Sequence, residues 1–272
     1  MQRFHHAMAD EHQRRRELTR DLQSAVGTGQ FELFYQPIIS LWRSELSGFE
    51  ALIRWRHPQR GLVSPVQFIP LAEESRLILP LGEWILRRAC GQAVEWKFEQ
   101  RGLSMSVNVS ALQFEQRDFV QSVQMALERS GLPGHCLTLE LTESMVLRDI
   151  GLAGRHIRQL KESGVRFALD DFGAGYSSLS VLQSLPLDHL KMDRSFLQAC
   201  RRPDSKRPRL VLETLVSMAQ RLGLTVIAEG VETAEQGELL RHFGCDSAQG
   251  YFFGRPQPAD EASSWMFTAA GS

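Results

Sequence analysis

Apolar residues recur along this chain in two rhythms. Between 81 and 100 they fall at Leu81, Trp84, Ile85, Ala89, Ala93 and Trp96, close to the 3.6-residue period of a helix. Stretches 118–131 and 157–164 each end on a glycine, a common helix stop, and 210–223 and 233–244 repeat the theme. The second rhythm is β-like. It marks segments at 31–41, 46–55, 103–110, 136–143, 165–171, 188–193, 224–230 and 246–253. Only "WRSE" separates the first two, short enough for a hairpin. Strands alternating with helices over this length predict an α/β fold, a modified TIM (β/α)8 barrel with one antiparallel strand. A doubly wound open sheet is the alternative. Residues 5–26 predict a further helix with a sparse stripe of Ala7, Leu18, Leu22 and Val26. It is either a linker from something upstream or a cap of the same domain. The chain is expected to divide into a linker helix at 1–20 and one main domain at 21–272. The basic, proline-broken "CRRPDSKRPR" at 200–209 reads as a solvated loop.

Alternation within the strands carries the chemistry. Glu50, Leu52 and Arg54 share one face, and Phe49, Ala51, Ile53 and Trp55 the other. Ser106, Asn108 and Ser110 oppose Val107 and Val109. Thr138, Glu140 and Thr142 oppose three leucines, Ala168 and Asp170 oppose Phe167 and Leu169, and His189, Lys191 and Asp193 oppose Leu190 and Met192. Glu229 ends "TVIAE". A single strand glutamate is ordinarily solvated or ion-paired. In phase, these polar faces line a barrel mouth, where such barrels place active sites.

Glu50, Glu140, Asp170, Asp171 and Glu229 would then converge. Two like charges at 4 Å repel by about 4 kcal/mol at an effective dielectric near 20. Protonation is one remedy and divalent cations are the other. With Asn108 the set is all oxygen, which favours Mg²⁺ or Mn²⁺ over zinc, and it suffices for two ions. Paired metals are the usual clamp for in-line attack on phosphorus. Lys191 and Arg54 add positive charge, for a phosphodiester and its attacking hydroxide or as counter-ions of the carboxylates. Asp170 and Asp171 are adjacent. Asp170 is expected to be the last strand residue, with the following glycine loop turning Asp171 inward.

Composition narrows the partners. Of 272 residues, 43% are hydrophobic and 23% charged, and the formal net charge is -1, which argues against a general DNA or RNA binder. A small phosphorylated ligand stays compatible. Cys90, Cys136, Cys200 and Cys245 show no Cys-x-x-Cys spacing and read as free thiols of a reducing compartment. No apolar run approaches 18 residues, so no membrane span is expected, and the charged N-terminus lacks a signal core. The expected location is the cytoplasm, either alone or as the cytoplasmic part of a larger protein, a membrane-anchored one included.

At these residues the sequence resembles the EAL domain family, the cyclic-di-GMP phosphodiesterases, over about 20–260. The motifs occur in order: "YQPI", "EALIRW", "FIPLAEES", "VNVS", "LELTES", "LDDFGAGYSSL", "LKMDRSF", "AEGVET" and "QGYFFGRP". The resemblance implies that Glu50, Asn108, Glu140 and Asp170 are metal ligands, with Asp170 bridging two ions and Asp171 serving the second. It implies Glu229 as a ligand or general base and Lys191 as holder of the attacking water. Arg54 and Leu52 match substrate contacts, Gln36 and Gln249 match pocket positions, and Glu143 matches the anchor of loop 172–178, which joins metal binding to dimerisation. The family often has Thr at Ala174 and Gly at Arg76, where a left-handed helix end favours glycine. The implied activity is hydrolysis of cyclic-di-GMP to pGpG with two Mg²⁺ or Mn²⁺ ions. Ca²⁺ is expected to inhibit, because its looser coordination suits this geometry poorly. A homodimer and an upstream GGDEF or sensor domain are also implied. The alternatives are a cyclic-di-GMP receptor that does not cut, and a different metal-dependent hydrolase on the same barrel.

Overall fold

Strands β1 (Phe31–Ser40) and β2 (Glu45–His57) form the expected hairpin, paired antiparallel from Phe31↔Trp55 to Ser40↔Glu45. The computed structural model describes residues 2–173, 179–201 and 206–267, without the side chains of 2–12, 14 and 179. A short β3 (Gly61–Val63) folds back on the end of β2. Then β4 (Ser104–Asn108), β5 (Leu137–Thr142), β6 (Arg166–Phe172), β7 (His189–Met192), β8 (Thr225–Ala228) and β9 (Ser247–Ala248) continue from β2 in parallel. Antiparallel pairing of β9 with β1 closes an eight-stranded barrel, and β10 (Gln257–Pro258) adds to the outer edge of β1. The architecture is the modified TIM barrel, with β1 running against the rest. The open-sheet alternative is excluded by closure.

Helices surround the barrel because each alternate strand face is apolar. Phe49 and Trp55 on β2, the leucines of β5 and Phe167 of β6 are buried under them. The predicted helices occur at Ile78–Glu95, Phe119–Ser130, Ile150–Glu162, Lys206–Arg221 and Ala234–His242. The one predicted at 157–164 starts earlier, where the Asp149 side chain accepts from the Leu152 amide and caps it. A further helix, α2 (Pro65–Glu74), begins at a Ser-Pro step and ends before Arg76, whose φ of 59 is left-handed as the family's glycine would suggest.

The last predicted strand, 246–253, shrinks to two residues. Past Gln249 the backbone turns tightly on itself, with Phe253 and Gly254 amides donating to the Gly250 carbonyl. A Cβ at Gly250 would lie 2.1 Å from the Val231 carbonyl oxygen, so this turn requires glycine.

Helix α1 (Gln2–Ala25) docks by the end of its predicted stripe: Leu22 and Ala25 are fully buried. Ionic contacts flank it. Arg15 pairs with Glu74, Glu17 with Arg60, and Asp21 with His57 at 3.2 Å. Among the described residues no helix is long and apolar enough to cross a membrane. All four cysteines are buried and free.

Candidate active site

The inward faces of six strands, β1, β2 and β4 to β7, and the residues just past the ends of β8 and β9 deliver the polar groups to one end of the barrel. Lys191 Nζ sits at their centre. It lies 2.7 Å from Glu140 Oε2, 2.7 Å from Glu229 Oε1, 3.3 Å from Asp170 Oδ1 and 3.7 Å from Glu50 Oε2. Lys191 is 1% exposed. Burial opposes its charge, but Asp170, Glu140, Glu229 and Glu50 together outweigh that, and the lysine is held well above its usual range.

One ammonium does not satisfy four carboxylates. Burial, with repulsion from Glu50 and Asp170, drives Glu140 well above the carboxylate range despite Lys191. Glu229 is pushed up to about 7 by the same causes, burial first. Asp171 is raised by burial and then by its neighbour Asp170.

Amides hold the first carboxylate in place. Asn108 Nδ2 donates to Glu50 Oε1 at 2.6 Å, and Gln249 Nε2 donates to Glu50 Oε2 at 2.7 Å. Gln249 also donates to Gln36 Oε1 at 2.9 Å, and Gln36 donates to the Gly254 carbonyl at 3.0 Å. Strand register brings these groups together: Gln36 is directly opposite Glu50, and Asn108 lies on the same face two residues beyond Ser106, which is level with Glu50.

The Asp170–Asp171 pair is arranged differently from the expectation. The strand does not end at Asp170; it runs to Phe172. Leu169 pairs with Leu190 and Phe172 with Met192, so two aspartates stand opposite Lys191 alone. This is a β-bulge, and Asp171 at its second position has φ 55. The bulge, rather than a following loop, brings both carboxylates to the same side. Aspartate is among the few non-glycine residues that tolerate this conformation.

The donor set fits a hard divalent cation. One oxygen each from Asp170, Asp171 and Glu229 lies within 4.8 Å of the others. Glu140 Oε1 is buried without a hydrogen-bond partner, and the buried Asp170 Oδ1 has only its ion pair with Lys191 at 3.3 Å. Buried acceptors left unpaired in an all-oxygen cluster are what a bound cation would satisfy.

A cavity of about 440 Å³ opens on this cluster. Gln36, Glu50, Leu52, Asp170, Asp171, Lys191, Glu229 and Gln249 line it; Asn108 and Glu140 do not. Arg54 is not among the lining residues. Its guanidinium lies 5.5 Å from the centre of the Phe34 ring and donates to the Ile53 carbonyl. Glu143 is buried in the first turn of the Glu143–Arg148 helix, away from the cavity wall. Of the loop 172–178 that it is expected to anchor, residues 174–178, Ala174 included, lie outside the described residues. Sequence reading did not single out Arg194, Glu232 or Tyr251, which also line the cavity. They follow the strand ends in turns, where no periodicity marks them.

The family model described as "EAL domain" matches residues 19–256. The cyclic di-GMP phosphodiesterase NbdA of Pseudomonas aeruginosa is 42% identical over 244 residues, covering 89% of this chain and 31% of the relative. The bifunctional diguanylate cyclase/cyclic di-GMP phosphodiesterase MucR of the same organism is 42% identical over 259 residues, 95% of this chain and 38% of the relative. The chain thus spans roughly a third of the length of these curated relatives. A solved structure, "PaMucR Phosphodiesterase, c-di-GMP complex", superposes with TM-score 0.85 at 42% identity, covering 90% of this chain and 99% of that one.

Proposed function

The chain belongs to the EAL domain family, and we propose that it is a metal-dependent phosphodiesterase that opens cyclic-di-GMP to linear pGpG. The observation that carries this reading is the buried Lys191 hub. Four carboxylates share one ammonium, and Glu140 Oε1 keeps no hydrogen bond of its own, beside a cavity of nucleotide-binding scale. The phosphodiesterases among its relatives support the substrate.

On this reading Glu50, Asn108, Glu140, Asp170 and Asp171 would hold two Mg²⁺ or Mn²⁺ ions. Bound there, the ions would neutralise the cluster and make a water acidic enough to attack at neutral pH. The chain's own groups do the rest. Lys191 orients the water through its ammonium protons. The water oxygen bonds to phosphorus in line, the P–O3′ bond breaks, and the 3′ oxygen leaves with a proton from solvent. Glu229, beside Lys191 and raised to about 7, suits the role of accepting the water's proton. Gln36 and Gln249 keep Glu50 in register, and Leu52 packs against the substrate. Arg54, assigned to a phosphate by resemblance, would have to swing from Phe34 to reach it. Glu143 would steady the loop after Asp171.

We extend the proposal to domain organisation. Residues 1–20 are the linker helix and 21–272 the enzyme, acting as a homodimer beneath a GGDEF or sensor domain. The burial of Leu22 and Ala25 supports a boundary near 20.

Purified protein with Mg²⁺ or Mn²⁺ should convert cyclic-di-GMP to pGpG, followed by chromatography, and Ca²⁺ should suppress conversion. Tight binding without turnover would replace the enzyme by a receptor.

A further inference from the structure

We propose that Arg194 clamps the phosphodiester that is not being cut. This rests on the cyclic-dinucleotide reading above, in which one phosphodiester is at the Lys191 cluster and a second must lie elsewhere in the mouth.

The second anion meets an acidic wall. Asp193 and Glu232 line the cavity together with the metal-site carboxylates. Among the described residues two cations line it, Lys191 and Arg194. Lys191 is already surrounded by four carboxylates. Arg54 is turned onto Phe34. Glu232, two residues past Gly230, is occupied by Arg201. Arg194 has no ion pair among the described residues and is exposed to the cavity.

The backbone is built to hold it there. Asp193 Oδ1 accepts from the Ser195 amide at 2.9 Å and fixes the turn that carries Arg194. Gly230, the residue after Glu229, has φ 69, and a Cβ there would be 2.4 Å from Arg194 Cβ. The absence of a side chain at 230 lets Arg194 press against the segment that carries Glu229. A planar guanidinium with free donors, beside the reacting centre but not in it, suits two oxygens of a phosphodiester.

The test compares the wild-type chain with Arg194→Ala and Arg194→Lys, supplied with Mn²⁺. Two substrates are used: cyclic-di-GMP and bis(p-nitrophenyl) phosphate, a diester with no second phosphate. For Arg194→Ala we expect KM for cyclic-di-GMP to rise about tenfold, the size of one charge-assisted hydrogen bond, with kcat changed less than about threefold. The fall in kcat/KM on the simple diester should be several times smaller, and Arg194→Lys should fall between. An unchanged KM, or equal losses on both substrates, would overturn the clamp. A wild-type chain that cuts the simple diester but neither cuts nor binds cyclic-di-GMP would instead remove the substrate reading, and the clamp with it.

Discussion

Strand β7 carries two basic side chains on one face, His189 and Lys191, two residues apart. Both are taken largely out of water, and burial disfavours the charged form of each. Their outcomes are opposite. His189 falls to about 4, because burial acts first and Arg166 and Lys161 add to it against Asp188 and Asp246. Lys191 rises, because four carboxylates crowd it. The desolvation is common to both; the neighbours decide the sign. One layer of the barrel stores a neutral base, and the next holds a charge that only a larger anionic cluster could sustain.

Removing the charge at the upper layer should have the largest effect. Lys191→Ala and Glu50→Ala are each expected to lower cyclic-di-GMP turnover by about 10³-fold or more, the scale of a lost transition-state donor. Substantial turnover in either would refute the assigned roles. Stability should follow. Lys191→Met leaves the carboxylates uncompensated, and breaking such a buried arrangement costs about 3–5 kcal/mol. Glu140 and Glu229 are raised even beside the ammonium and hold their protons more firmly folded than unfolded without it, so the loss should be greater at pH 8 than at pH 5, and Mn²⁺ should restore part of it. Denaturant melts at the two pH values, with and without metal, check this. Equal loss at both would contradict the crowded-carboxylate account.

The lower layer predicts the opposite slope. Unfolded, His189 takes a proton near pH 6.5; folded, it resists until about 4. Stability should therefore fall as pH drops through that window, by about 2–3 kcal/mol from this residue. His189→Gln should flatten the curve, and parallel curves for the two proteins would show that the imidazole is not the source. The smallest effect belongs to the exposed charges at α1. Arg15→Ala removes the pair with Glu74 and should cost under about 1 kcal/mol, weakening further in salt. A larger loss would mean that surface pairs, not Leu22 and Ala25, hold the helix down.

Much of the mouth could be read from period-two alternation. Glu50, Asn108, Glu140, Asp170 and Lys191 are in phase because a barrel strand has one inner face, and a residue type repeated there betrays its use. The same rule misleads at Asp171. Alternation sends it outward, and only the left-handed φ of a bulge returns it, a choice aspartate permits without advertising. At the last strand "GYFFG" has the apolar texture of an extended segment, whereas Gly250 lets two backbones touch and the strand stops at Ala248. Helix α2 had a visible Ser-Pro start that periodicity alone passed over. Arg194 lies in a turn, where inward and outward have no sequence rhythm at all.

The reversed strand has one more consequence. In a regular barrel the first strand enters at the floor, far from the chemistry. Here Phe31 begins β1 opposite Trp55, beyond Glu50 toward the catalytic end, and α1 delivers the chain to that point. The helix is also fastened to His57 and Arg60, at the tip of the strand that bears Glu50. A twist or pull on α1 is thereby applied to the working end of the molecule, along a lever one strand long.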